Sequence, residues 1–190
     1  MFRLRKPVAQ YLEQLRAKCT TLPLSYAEVG CSWGAEPPGY VVDNYRIRLG
    51  TGAIVFERAR QALRDWRMLR LGWLEPCWPH APVKEGVLVG TLARVYGLWA
   101  VNICRIVSVV DDQGPVSRFG LAYGTLAGHA ERGEERFLIE WLRADDSVWY
   151  DIRAVSRPGT WMTRLAYPVA RRLQRRFGHD SLAALLPAVE

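Results

Sequence analysis

The chain has 190 residues, 49% hydrophobic and 24% charged, with a formal net charge of +7. That length favours one domain with a terminal extension, and the composition excludes a disordered chain. No apolar run approaches the ~20 residues of a membrane-spanning helix, and no apolar stretch follows the basic start at Met1 to Lys6, so no signal peptide is expected. The expectation is a cytoplasmic protein, with peripheral membrane attachment as an option. Cys19, Cys31, Cys77 and Cys104 form no C-x-x-C pair and sit near no His at zinc-site spacing, so reduced thiols are expected and no metal or cofactor.

Pro7 to Lys18 reads as a short helix, with Val8, Tyr11, Leu12 and Leu15 on one face. Residues 1–23 are set apart as an N-terminal helical extension, and 24–190 as a single domain. Thr20 to Gly39, broken by Pro23, Gly30, Gly34, Pro37, Pro38 and Gly39, is irregular. Tyr40 to Leu49 alternates as a half-buried strand. Thr51 can cap a helix over Ala53 to Leu69, whose apolar stripe is Phe56, Ala59, Ala62, Leu63, Trp66 and Leu69.

Leu71 to Trp78 is a second short strand. Five longer ones follow: Val87 to Tyr96, Trp99 to Val110, Pro115 to Leu126, Glu134 to Leu142 and Val148 to Ser156. Their short connectors, such as Asp111-Asp112-Gln113-Gly114 and Ala144-Asp145-Asp146-Ser147, imply an antiparallel meander. Thr160 can cap a last helix from Trp161 to Phe177, kinked at Pro168 and stopped by Gly178. Asp180 to Leu186 adds another turn or two. An open sheet with one apolar face needs a cover, and this last helix is long enough to supply it. The fold class is therefore α+β, with a curved antiparallel sheet of about seven strands around a long C-terminal helix.

Several segments carry a family resemblance: Tyr26-Ala-Glu-Val-Gly30, Arg48-Leu-Gly-Thr-Gly52 and Val55-Phe-Glu-Arg-Ala59, then Trp66-Arg-Met68 and Cys104-Arg105. To these add Phe119-Gly-Leu-Ala-Tyr-Gly-Thr-Leu126, Gly128-His129, Gly133-Glu-Glu135 and Ser156-Arg-Pro158. Over about Tyr26 to Leu185 the chain resembles the DUF1990 family, a bacterial and plant family of unassigned function. The resemblance implies a START-like helix-grip fold with a cavity between sheet and helix. It also implies a membrane connection, through a plant member placed in the chloroplast outer envelope.

The candidate site residues fall into three sets. His129, Glu131, Glu134 and Glu135, with Tyr123, could perform acid–base chemistry; the alternative is a solvated loop held by Gly128 and Gly133. Glu28, Arg105, Phe119, Leu121, Tyr123, Trp161 and Leu165 are candidates to line a ligand cavity, against a reading as core. Arg105 lies in an apolar strand and needs a partner if it points inward; Glu28, Glu134, Glu135 or a ligand carboxylate are the options. Gly120 and Gly124 mark close approach of another backbone, for which the Tyr26 to Gly30 segment is the candidate. Arg164, Arg171, Arg172, Arg175 and Arg176, expected as one exposed stripe, could bind anions.

No G-x-S-x-G, Walker lysine loop, H-E-x-x-H or dinucleotide fingerprint is present. Three functions remain. The first is binding of a small apolar or amphipathic molecule in the cavity. The second is an enzyme using the same cavity. The third is association with an anionic membrane surface, nucleic acid being the less favoured partner. Sequence alone leaves the oligomeric state open.

Overall fold

The computed structural model of the chain describes residues 2–159 and 166–190. An eight-stranded antiparallel sheet forms its centre. The strands are β1 (Phe2–Arg3), β2 (Val41–Thr51), β3 (Leu74–Pro76), β4 (Leu88–Val95), β5 (Leu98–Asp112), β6 (Val116–Thr125), β7 (Glu131–Leu142) and β8 (Ser147–Pro158). Seven run in the order β2-β8-β7-β6-β5-β4-β3, and β1 pairs with the start of β5. Strands β4 to β8 are the expected meander, each antiparallel to the next.

Two register shifts, at Arg48/Gly50 in β2 and Ile106/Ser108 in β5, interrupt the ladders. Each extra residue bends its strand and increases the local twist, which helps curl the sheet. Helices α2 (Gly52–Arg64) and α3 (Tyr167–Val189) fill the concave side. There Phe56, Ala59, Leu63 and Leu185 pack with Leu121, Phe137, Ile139, Tyr150 and Ile152 in the main core. This is the helix-grip, START-like arrangement that the resemblance implies; the sequence pattern alone implies an α+β sheet with a helical cover. The convex side carries α1 (Ala9–Cys19), whose Leu12 and Cys19 pack with Leu88, Leu92, Val101 and Ile103.

Four boundaries differ from expectation. Helix α2 ends at Arg64, because Trp66 takes a left-handed φ of 55° before a single 3-10 turn at Arg67–Leu69. The short strand expected over Leu71 to Trp78 is only Leu74–Pro76. Strand β7 begins at Glu131 rather than Glu134, so Glu131 joins Glu134 and Glu135 on the strand while His129 stays in the connection before it. The last helix begins at Tyr167 and continues through Gly178 to Val189.

Pro168 therefore stands in the first turn of α3, where its missing N–H costs nothing, and it produces no mid-helix kink. Gly178 is a contact residue, not a stop. A Cβ there would lie 2.4 Å from the Tyr45 ring, so only glycine lets the helix approach β2 this closely. The expected Thr160 cap lies outside the described residues.

Candidate functional site

The concave face is divided between two covers. At one end α2 lies over Phe119 and Trp141: the Arg64 guanidinium sits 4.4 Å from the centre of the Phe119 ring, and Phe56 packs against Trp141 at 5.7 Å. At the other end α3 lies over Phe137 and Tyr150. Phe177 meets Phe137 edge-on at 6.3 Å, and Tyr150 Oη and Ser181 Oγ are 3.1 Å apart. The first end is apolar and closed, with Phe119 2% and Leu121 0% exposed. These two candidates are core residues.

Under α3 the same alternation brings polar groups inward. Tyr123 of β6 stands directly opposite Glu135 of β7. The Tyr123 hydroxyl donates to Glu135 Oε2 at 2.6 Å, and its ring lies 5.3 Å from Phe137. Both residues keep some accessible surface although protein encloses them deeply. Burial pushes the Glu135 carboxyl up to about 7, partly opposed by the Tyr123 hydrogen bond. Burial and the neighbouring Glu135 also push the Tyr123 phenol and the buried Cys104 thiol well up. Near neutral pH Glu135 therefore exchanges a proton beside a hydroxyl that stays protonated.

A second polar chain closes the rim of this end. Arg171 of α3 donates to both carboxylate oxygens of Asp43 on β2, at 2.5 and 2.6 Å, and to Gln174 Oε1 at 2.7 Å. Gln174 in turn donates to Glu131 and to Ser156 Oγ. His129 accepts from its neighbour, the Glu131 N–H, through Nδ1 at 3.0 Å. Burial holds the imidazole down, at about 4, so it is neutral near pH 7. Of the proposed acid–base set, Tyr123 and Glu135 come together, while His129 and Glu131 belong to the rim.

Glu134 is on the other side of the sheet. Its carboxylate is 3% exposed and accepts from Tyr26 Oη at 2.7 Å, Gly30 N–H at 2.8 Å, Ser32 N–H at 3.2 Å and Ser32 Oγ at 2.5 Å. The Tyr26 to Gly30 segment does lie against Gly124, but the contact is a side chain. A Cβ on Gly124 would be 2.2 Å from Tyr26 Oη. Gly120 instead lies close to its neighbouring strand, 2.5 Å from the Phe137 carbonyl by the same measure. Glu28 is exposed and accepts from Tyr40 Oη at 2.8 Å, away from the concave face.

Arg105 has none of the expected carboxylate partners. It donates to the Thr20 carbonyl at 2.8 Å, anchoring the segment that follows α1. Trp161, Arg164 and Leu165 lie outside the described residues. The expected arginine stripe is also broken: Arg171 is turned in to Asp43, whereas Arg172, Arg175 and Arg176 are exposed on α3. Between α3 and the β4–β5 hairpin is an open cleft of about 520 Å³ lined by Arg94, Val95, Tyr96, Arg172, Leu173 and Arg176.

Sequence reasoning missed Tyr150, Ser181, Asp43 and Gln174 at this end, and the structural role of Tyr26 and Ser32. Period-two alternation could have placed Tyr150 and Asp43 on the inner face. Nothing local marks Gln174, because the apolar spacing ends the last helix at Phe177 and assigns its inward face from apolar residues alone. Among the described residues no group of three or more His, Cys, Asp or Glu side chains is placed to hold a metal ion. No helix among them is long and apolar enough to cross a membrane.

Comparison with known proteins adds the following. The family described as "Domain of unknown function (DUF1990)" matches residues 25–184. A UPF0548 protein of Dictyostelium discoideum is 40% identical over 156 residues, covering 78% of this chain and 72% of the relative. A UPF0548 protein of Deinococcus radiodurans is 34% identical over 190 residues, covering 93% and 92%. Among solved structures, TTHA0849 from Thermus thermophilus aligns with a TM-score of 0.53 at 13% identity, covering 78% of this chain and 97% of its own. That likeness concerns the fold alone. Relatives of this similarity occur in eukaryotes as well as bacteria.

Proposed function

The chain belongs to the DUF1990 family, and from that premise we propose that it binds a small amphipathic molecule between the sheet and α3. The observation that carries this reading is the Tyr123–Glu135 pair. It is a hydrogen-bonded, deeply enclosed polar pair beside the apolar Phe137 and Phe177, and it retains accessible surface. Ligand sites are mostly apolar with a few convergent polar groups, and this end of the face has that composition. The ligand's polar end would engage Glu135, and its apolar part would meet Phe177 of α3.

Native mass spectrometry of the purified protein tests this. The expected result is a small molecule that co-purifies with the wild type and is lost or reduced in Glu135→Ala. An empty protein whose Tm is unmoved by a panel of fatty acids, monoacylglycerols and aromatic acids overturns it.

A second reading has its own observation. A carboxyl held at about 7 can give and take a proton near neutrality, which is what a general acid–base needs. The co-purified molecule would then be converted by the wild type, and Glu135→Gln would bind it without turnover. Equal turnover by Glu135→Gln eliminates this role.

A further inference from the structure

We propose that the cleft between α3 and the β4–β5 hairpin is a second binding site, apart from the Tyr123–Glu135 pair, for a phosphomonoester joined to an aromatic or apolar group. Three guanidinium groups line it, from Arg94, Arg172 and Arg176. Only Arg176 has a carboxylate partner, Asp180 at 3.2 Å, and that carboxylate also accepts from Trp73 Nε1 at 2.7 Å. The Arg176 guanidinium is further held over the Trp73 ring at 4.7 Å. Arg94 is 6.0 Å from the centre of the Trp99 ring, and among the described residues neither it nor Arg172 forms an ion pair. Of the lining residues none is acidic. Two uncompensated cations beside a third, half-compensated one match a dianion better than a carboxylate, because guanidinium pairs phosphate oxygens through parallel charge-assisted hydrogen bonds.

The hairpin supplies a second, independent indication. Val95 pairs with Leu98, leaving Tyr96-Gly97 as a two-residue loop, with φ of 50° and 81°. Such loops favour Asn, Asp or Gly at the first position, since other side chains are strained there. A tyrosine occupies it, 74% exposed, and is one of the residues lining the cleft. Strain held by an exposed aromatic has no packing return, and points to a surface the ring itself serves. The volume of about 520 Å³ falls within the range of ligand sites and exceeds what a bare phosphate fills. The remainder of the ligand would lie against Tyr96, Val95 and Leu173. A soluble phosphomonoester and the headgroup of phosphatidic acid present the same chemistry.

Calorimetric titration of the full chain at low salt with phenyl phosphate, phenol and benzoate tests the site. Phenyl phosphate should bind, and about tenfold or more tighter than benzoate, with phenol weakest. Arg172→Gln and Arg94→Gln should each weaken phenyl phosphate about tenfold. Arg175→Gln, exposed on the same helix but not on the cleft wall, should leave it unchanged. Tyr96→Asn should keep or raise Tm while lowering affinity, which separates binding from folding.

Co-sedimentation with phosphatidylcholine vesicles, with and without phosphatidic acid, distinguishes the two sources. Phosphatidic-acid-dependent sedimentation competed by phenyl phosphate assigns the lipid, and phenyl phosphate binding without sedimentation assigns a soluble ligand. No phenyl phosphate binding, equal benzoate affinity, or equal loss in Arg175→Gln overturns the proposal. A folded Glu135→Ala variant should bind phenyl phosphate normally, so failure here and failure of the concave-face reading are distinguishable.

Discussion

Glu134 and Glu135 are adjacent on β7 and face opposite sides of the sheet, and they meet opposite fates. Glu134 is buried against the Tyr26 to Ser32 segment and accepts four hydrogen bonds. Glu135 faces α3 and accepts one, from Tyr123. A carboxylate saturated by donors is a fastening, because its charge and lone pairs are already used. A deeply enclosed carboxylate with one donor still has capacity for a ligand or a proton, and its raised proton affinity expresses that shortage.

The largest expected effect is at the fastening. Glu134→Ala leaves the Tyr26, Gly30 and Ser32 donors without their acceptor and should cost about 3 kcal/mol in denaturant unfolding. A loss below about 1 kcal/mol would erase the distinction between the two glutamates. Next is Gly124→Ala. Its Cβ would press on the Tyr26 ring, so a loss of about 2 kcal/mol is expected. In a Tyr26→Ala background most of that added cost should vanish, and additive losses would show that the ring is not what the glycine admits.

Glu135 should behave differently, as a pH effect. Its folded value of about 7 lies above its ordinary 4.5, so the protonated form is favoured in the folded state. Its contribution is complete below pH 4.5 and is lost as pH rises through about 7. The loss is at most about 3 kcal/mol, since the side chain keeps some accessible surface. Glu135→Gln should flatten the stability profile across that window, measured by thermal unfolding at a series of pH values. An unchanged profile would place Glu135 in ordinary solvent.

The smallest effect is Tyr123→Phe. Removing the donor should cost about 1 kcal/mol and move the Glu135 inflection to higher pH, because the hydroxyl stabilises the charged carboxylate. A shift to lower pH would reverse the role given to that bond.

Much of the frame was legible. Alternation in Phe119 to Tyr123 put these three residues on one face, and the Asp- and Gly-rich connectors marked the meander. Gly124 pointed to the Tyr26 segment, since a glycine inside a strand signals something close. The final helix was less legible. Gly178 looked like a stop because glycine commonly ends helices, yet here it is buried against Tyr45. That partner lies 133 residues earlier, so no local window contains it. Arg171 looked like its neighbours for the same reason: its charge is answered by Asp43 of β2.

The sequence by itself determined the order of the five meander strands, the two faces of each strand and the need for a helical cover. These follow from backbone periodicity and turn chemistry, which are local. Only the tertiary structure decided which cover each face received. Tyr123 and Leu121 share one face by sequence, but Leu121 lies in the closed core and Tyr123 keeps accessible surface beside Glu135. Glu134 and Glu135 are one residue apart, and their opposite roles come from segments 102 to 108 residues before Glu134 and from a helix after the sheet. Burial and hydrogen-bond saturation are set by what packs on a side chain, and those partners are brought together only by the fold.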